Sequence, residues 1–434
     1  MTRLKATFLV SRRLLAVASL CALAHAATPE AAFAHPQFVT RPYLMDVTTN
    51  SIAVLFVLAH EQPVVVTAVS PAHTAKRYER PASRVHEVVM DGLDVDTQYA
   101  YRVFVANDEI ARGTFTTAPA APDAPVNFLI YGDTRTNPAA HASVIRAMSD
   151  EAADFVLHTG DFIADGRRAE SWATFFDVAA PLFASTPLIP TIGNHDLYAG
   201  AGLRNYRAHM RVAAGGSEHE TYFVFRYGAT VMISLDTEES LAPGEPQRVW
   251  LERALRSLRD DHAVKHIFAM MHHGPFSSGA HGGNPAIAGT DIEGLLRRDG
   301  VELVLSGHDH TYERGDASGL KYIVSGGDGA PLYFSNSEQP TQLAFSPVHH
   351  FVRVEIRGDE VRIAAIRTDG HTFDRCYFRG TRDPWHCTGG SSRGNVVRAA
   401  SSSMSRYVIA LGVVLVVAVA ILARRGRNAK KKAS

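Results

Sequence analysis

Cysteine is scarce, with three in 434 residues. Cys376 and Cys387 lack the second pair that a structural zinc site needs, and their proximity near the end of the body predicts a local disulfide in an oxidising space. Net charge is also missing: 44 basic residues balance 44 acidic ones. The basic residues crowd the ends, with Arg3, Lys5, Arg12 and Arg13 at the start and Arg424, Arg425, Arg427 and Lys430 to Lys432 at the finish. The body between is therefore mildly acidic and lacks the basic face used to grip a phosphate backbone, which excludes a nucleic-acid scaffold protein. There is no internal repeat and no long low-complexity tract.

What is present begins with 46% apolar residues, enough for a sizeable core, in a length that suggests two domains. Residues 1–34 read as a secretory signal: basic residues, an apolar stretch from Leu14 to Leu23, and small residues suited to cleavage after Ala26 or Ala34. Leu20 before Cys21 argues against lipid attachment there. Residues 407–423 carry no charge and precede a basic tail, 424–434, so they read as a transmembrane helix with the tail in the cytoplasm. Residues 389–406, rich in glycine and serine, read as a flexible tether. The expected place is outside the cytoplasm, periplasmic or at the cell surface, on a single C-terminal span.

Between these ends the chain changes character once. Residues 36–118 hold short β-rich runs (SIAVLFVL, PVVVTAVS, RVHEVVM, QYAYRVFVAN, IARGTFTT) separated by turn residues. The stretch DGLDVDTQYAYRVFVAND resembles part of a fibronectin type III-like β-sandwich, which implies a packing or spacer module. Residues 119–125 are a proline- and alanine-rich linker. In 126–388, apolar strands alternate with helical stretches such as PAAHASVIRAMSDEA, RAESWATFFDVAAPLF and PQRVWLERALRSLRD, which predicts an α/β domain. A hairpin at Gly358-Asp359 makes its sheet mixed.

Five apolar strands of this region run into polar clusters. VNFLIY meets Gly132-Asp133, DFVLHT meets Gly160-Asp161, and LIPTI meets Gly193-Asn194-His195-Asp196. HIFAMM meets His272-His273, and VELVLS meets Gly307-His308-Asp309-His310. Strand C-termini in an α/β fold gather along one edge, where ligand sites form. Glycine before a cluster is expected to let the backbone turn off the strand. Carboxylates, an amide oxygen and imidazoles suit zinc, manganese or iron. An H-x-H alone is often a solvent-facing loop pair, whereas five clusters at strand ends are a metal-site pattern.

This order, GD, GD, GNHD, H, GHDH, resembles the calcineurin-like metallophosphoesterase superfamily. With the β-rich region before it, the chain is most similar to the purple acid phosphatase branch. The resemblance implies two facing mixed β-sheets flanked by helices, with two divalent or trivalent ions (Fe, Mn or Zn) at their edge. It implies that Asp133 holds the first ion and Asp161 bridges both. Asn194, His272 and His308 then complete the second, and His310 returns to the first. His273 then faces substrate or supports the ligands, and His281 borders the phosphate pocket.

Two departures stand out. Thr134-Arg135 follows Asp133 where many members have Asp-x-His, and Ala164 stands where purple members have a tyrosine. Arg135 has planar donors suited to a substrate phosphate. His141 and Tyr198 are conceivable substitute ligands. The implied chemistry is hydrolysis of a small-molecule phosphate ester: two cations lower the pKa of a water and neutralise an in-line phosphoryl transfer. His195 is the expected acid for the leaving oxygen, with Asp196 or Asp309 orienting an imidazole. A phosphomonoesterase is the first expectation, and a phosphodiesterase or nucleotide hydrolase the alternative. A surface binding or adhesion protein that has lost catalysis is the competing class. Retention of Asp133, Asp161, Asn194, His195, His272, His308 and His310 argues against it.

Overall fold

The computed structural model describes residues 37–212, 221–284, 287, 289–334 and 339–388. The expected signal segment, tether, membrane helix and basic tail lie outside the described residues. Among the described residues, no helix is long and apolar enough to cross a membrane.

Five strands come first: β1 (Phe38–Met45), β2 (Ile52–Val69), β3 (Ala75–Met90), β4 (Gln98–Val105) and β5 (Asp108–Thr116). Three parallel strands follow, β6 (Val126–Tyr131), β7 (Phe155–His158) and β8 (Leu188–Pro190). A second group runs through β9 (Phe223–Tyr227), β10 (Thr230–Leu235), β11 (His266–Met271), β12 (Leu303–Ser306), β13 (Tyr312–Ala317), β14 (Leu320–Ser325) and β15 (Gln342–Ser346). The last strands are β16 (His350–Arg357), β17 (Glu360–Arg367), β18 (Thr372–Arg379) and β19 (His386–Cys387).

These strands form two mixed sheets. The first has the order β19-β18-β17-β16-β6-β7-β8-β1-β2-β4-β5, with β3 also on β2; the second has the order β15-β13-β14-β12-β11-β10-β9. Side chains alternate across a strand, so one strand serves two cores. Phe128 and Ile130 of β6 face the other sheet, where the Phe128 ring lies 6.2 Å from that of Phe268. Leu129 and Tyr131 point the other way, onto the helices Pro138–Ser149 and Ala169–Phe183. On the second sheet, Val231, Ile233, Ala269 and Met271 pack outward against Leu251, Leu255, Ile292 and Leu296 of the helices Pro246–Asp260 and Ile292–Arg298. Burial on both faces is why these strands read as continuous apolar runs.

The helices follow from the sequence as expected. Pro138–Ser149 starts with proline at its first turn, and the Asn137 side chain accepts a bond from the Ala140 N–H. Its buried residues are His141, Val144, Ile145 and Met148, spaced as one helix face. The hairpin turns at Gly358 (φ 63°), pairing Arg357 with Glu360.

The β-rich region differs from a separate sandwich in one respect: its strands run on into the α/β sheet. Met45 of β1 pairs with Leu188 of β8, Tyr43 Oη donates to the His209 carbonyl at 2.7 Å, and Tyr101 Oη donates to the Ala184 carbonyl at 2.9 Å. The described residues therefore belong to one compact unit. The two runs SIAVLFVL and PVVVTAVS are one strand, because β2 passes through Gln62 and Pro63 with a register shift against β3. A shift of that kind is where a strand tolerates proline.

Across the sheets, Asp374 of β18 accepts bonds from Tyr312 Oη (2.6 Å) and Arg314 Nε (2.7 Å) of β13, and all three are buried. Cys376 and Cys387 are joined in a disulfide that links β18 to β19, as expected from their proximity.

Candidate metal centre

The five polar clusters meet along one edge of the paired sheets. Asp133 follows β6, Asp161 follows β7, Asn194 and His195 follow β8, His272 and His273 follow β11, and His308 and His310 follow β12. The turn off the strand uses glycine as expected before Asp161, where Gly160 sits at φ 98°, but not at every cluster. Asp133, Asp161 and His308 themselves hold the left-handed backbone, at φ 59°, 58° and 67°. Side chains rarely adopt it, at a cost on the order of 1–3 kcal/mol each. Gly193 and Gly307 make room: a Cβ on Gly193 would lie 2.4 Å from Asp161 Oδ1, and one on Gly307 would lie 2.5 Å from Asp133 Oδ2.

Backbone amides fix the carboxylates. The His195 N–H donates to Asp161 Oδ1 and the His308 N–H to Asp133 Oδ2, each at 2.9 Å. Asp161 itself is fully buried. The side of the site towards β8 and β11 is a convergence of donors. His272 Nε2 lies 3.1 Å from Asn194 Oδ1 and 3.4 Å from Asp161 Oδ1, and His273 Nε2 lies 3.1 Å from the same Asn194 oxygen. His272, His273 and His308 bring ligand atoms within 4.8 Å of one another, as do Asp133, Asp161 and His272. His272 Nδ1 donates to the Thr159 carbonyl at 2.9 Å, the outer bond that aims an imidazole at a cation.

The other side is built differently. Arg135 Nε lies 3.1 Å from Asp161 Oδ2, and its Nη2 donates to His310 Nε2 at 3.0 Å. His310 Nδ1 donates to the Pro331 carbonyl at 2.7 Å, so both of its nitrogens are engaged. Asp133 Oδ1 is buried without a hydrogen bond, 3.5 Å from His310 Nε2. The donor set towards His272 therefore fits a borderline cation, with oxygens and imidazoles converging on a common point. Towards His310 a guanidinium already stands between the donors.

The charges follow from this packing. Burial disfavours a proton on His272, but Asp161 beside it outweighs burial and pushes its pKa up to about 10. Burial, then the charge on His272, pushes His273 down to about 3. Burial also lowers His310 to about 4 and takes His308 far below the usual range. The metal-free centre thus holds its proton on His272, which a cation must displace. Metal affinity is expected to fall by about tenfold for each pH unit below 10, a slope that titration calorimetry at several pH values would read. In the metal-free protein the sign for stability follows the raised pKa. The Asp161–His272 pair contributes fully between the ordinary carboxylate pKa of about 4 and pH 6.5; that contribution is lost as pH rises through about 10, and also in strong acid, where Asp161, held well below the usual carboxylate range, takes up its proton.

The remaining expected residues fall into three groups. His195 stands at the rim, with Nδ1 donating to the Ala164 carbonyl at 2.8 Å and Nε2 4.0 Å from Asp161 Oδ2. Of Asp196 and Asp309, only Asp309 orients an imidazole, and the ring is that of His281 rather than His195. Asp196 instead accepts from the N–H groups of Asp161 (2.9 Å), Phe162 (2.9 Å) and Gly193 (3.0 Å), bracing the loop that carries Asp161. Asp309 accepts from Ser277 and binds His281 Nδ1 at 3.0 Å. His281 borders a pocket of about 220 Å³ shared with His273, Ser277, His308 and Asp309. His141 and Tyr198 are not substitute ligands: His141 is buried 3.9 Å from Asp328, and Tyr198 lies under the Arg167 guanidinium.

Three residues near the centre were not read from the sequence. Glu238 Oε1 lies 3.6 Å from His273 Nε2, and Thr237 Oγ1 accepts from the His273 N–H at 3.1 Å. The Tyr333 ring stacks on His310 at 4.0 Å. Their local sequence, LDTEES and PLYF, carries no signal for these contacts.

Residues 126–312 match the family model described as calcineurin-like phosphoesterase. The chain is 27% identical over 243 residues to probable purple acid phosphatase 20 of Arabidopsis thaliana, covering 54% of this chain and 56% of that protein. It is 26% identical over 273 residues to phosphoenolpyruvate phosphatase of Allium cepa, covering 59% of this chain and 56% of that one. The chain thus spans little more than half the length of these curated relatives. Among solved structures, purple acid phosphatase PPD1 from yellow lupin (Lupinus luteus) seeds shares the fold, with a TM-score of 0.69 at 17% identity, over 78% of this chain and 74% of that chain.

Proposed function

From the premise that residues 126–312 are a calcineurin-like phosphoesterase domain, we propose that this chain is a metal-dependent phosphoric ester hydrolase acting first on phosphomonoesters. The observation that carries the reading is the convergence of Asp161, Asn194, His272, His273 and His308 from four strand ends around one buried carboxylate. The chain's similarity to a probable purple acid phosphatase and a phosphoenolpyruvate phosphatase supports a monoester substrate.

A cation bound there supplies Lewis-acid charge and makes a water acidic near neutral pH. The chain's own groups do the rest. His195, held through Nδ1 by the Ala164 carbonyl, presents Nε2 to the site and is the group that protonates the leaving oxygen. His281, fixed by Asp309, borders the small pocket and is placed to take a phosphate oxygen. Arg135, its guanidinium held by Asp161 and His310, adds positive charge beside the same phosphate. Asp196 keeps the Asp161 loop rigid.

The exported, C-terminally anchored placement expected from residues 1–34 and 407–423 is part of this proposal. The test of substrate class is the full-length chain, in detergent, on p-nitrophenyl phosphate and its bis-ester with added manganese, zinc or iron. A higher kcat/KM on the monoester supports the phosphatase. A higher value on the bis-ester replaces it with the diesterase, and no turnover with any metal favours the binding protein.

A further inference from the structure

We propose that the Arg135 guanidinium takes the place of the first cation, so that this centre holds one metal ion, bound by Asp161, Asn194, His272 and His308. The inference rests on reading the site as a metal-dependent hydrolase, and changes what that site contains.

The argument starts from the donors that two ions would have to share. Asp161 has two carboxylate oxygens. Oδ1 faces His272 Nε2 at 3.4 Å, and Oδ2 faces Arg135 Nε at 3.1 Å. One oxygen therefore already meets a positive group that belongs to the chain, by charge and without a hydrogen bond to it. His310, the ring expected to return to the first ion, offers its Nε2 to Arg135 Nη2 at 3.0 Å while Nδ1 donates to Pro331. In that tautomer Nε2 has one lone pair, and the guanidinium uses it. A metal bond needs that same lone pair at about 2.0–2.1 Å. The arginine and an ion cannot both have it.

The replacement is also consistent chemically. Arg135 follows Asp133 by two residues, the position where Asp-x-His would supply an imidazole, and Ala164 removes the other expected ligand. A guanidinium keeps its charge at every accessible pH and is more weakly hydrated than an ammonium, so it tolerates this buried place. Its side chain is 14% exposed. It brings positive charge to Asp161 and a donor to His310, which is what an ion would do for those two groups. Among the described residues, none of the three clusters of metal-competent side chains contains His310; the two at this edge both contain His272, and the third is Asp374 with the disulfide-bonded Cys376 and Cys387. The ligand-rich point of the centre is therefore on the His272 side.

The test counts ions. The full-length chain is stripped with chelator, loaded with excess manganese, desalted, and assayed on one sample for metal per chain, for the paramagnetic resonance of Mn2+, and for p-nitrophenyl phosphate hydrolysis. The expected result is about one manganese per chain with the spectrum of an isolated ion, as one complete ligand set predicts. Arg135→His, which restores Asp-x-His, should raise this to about two with a spin-coupled spectrum. Two ions per wild-type chain, with hydrolysis intact, would overturn this inference and leave the hydrolase reading standing. A folded Arg135→His variant, checked by circular dichroism, that still binds one ion would also overturn it. No bound metal and no hydrolysis would sink the hydrolase reading as well.

Discussion

Asp161→Asn should lower kcat/KM on p-nitrophenyl phosphate by more than the roughly 10–100-fold that loss of an outer partner of a metal ligand costs. Asp161 joins three parts of the centre: it accepts from the His195 N–H, faces His272, and is paired with Arg135. The amide keeps the shape but removes the charge, so the metal loses an anionic ligand and Arg135 loses its counter-ion. Metal content per chain should fall with activity. Asp161→Ala goes further, leaving two buried positive groups uncompensated, and is expected to cost about 3–5 kcal/mol of stability. Retention of activity within tenfold in a folded Asp161→Asn chain would mean that the chemistry lies elsewhere.

The second large effect depends on the substrate. His195→Ala should slow hydrolysis of an alkyl phosphate by about 10²–10⁴-fold, the range for loss of a positioned acid. Nitrophenolate leaves without a proton, so p-nitrophenyl phosphate should lose much less. The geometry supports this division: His195 sits at the rim, its Nδ1 is committed to Ala164, and Nε2 faces the centre. Equal losses on the two esters would remove His195 as the acid and make it a structural support.

Much of this centre was legible in the sequence because buried parallel strands leave a plain trace. VNFLIY, DFVLHT and VELVLS are apolar on both faces, so the first polar residue after each marks the sheet edge. That pattern alone puts Asp133, Asp161, His308 and His310 at the sheet edge. Helix spacing in PAAHASVIRAMS likewise gave the covering helix and its buried face.

What the sequence could not supply were partners distant along the chain. Asp196 lies next to His195, yet its carboxylate spends its bonds on backbone N–H groups about 35 residues away. Asp309 lies between two histidines and binds a third, His281. Arg135 reads in the sequence as a donor for a substrate phosphate and stands between Asp161 and His310 in the fold. The pairing of Met45 with Leu188, together with the Tyr43–His209 and Tyr101–Ala184 bonds, joins the β-rich region to the α/β part, and no local pattern announces these contacts.

The central claim is that this chain hydrolyses phosphate esters with a metal held at Asp161, Asn194, His272 and His308. Its most direct test is to strip the full-length chain with chelator, measure p-nitrophenyl phosphate turnover, and then restore manganese, zinc or iron. The account predicts that turnover vanishes on stripping and returns with added metal in the wild-type chain but not in Asp161→Asn. Turnover that survives stripping, or returns equally in both chains, would contradict it.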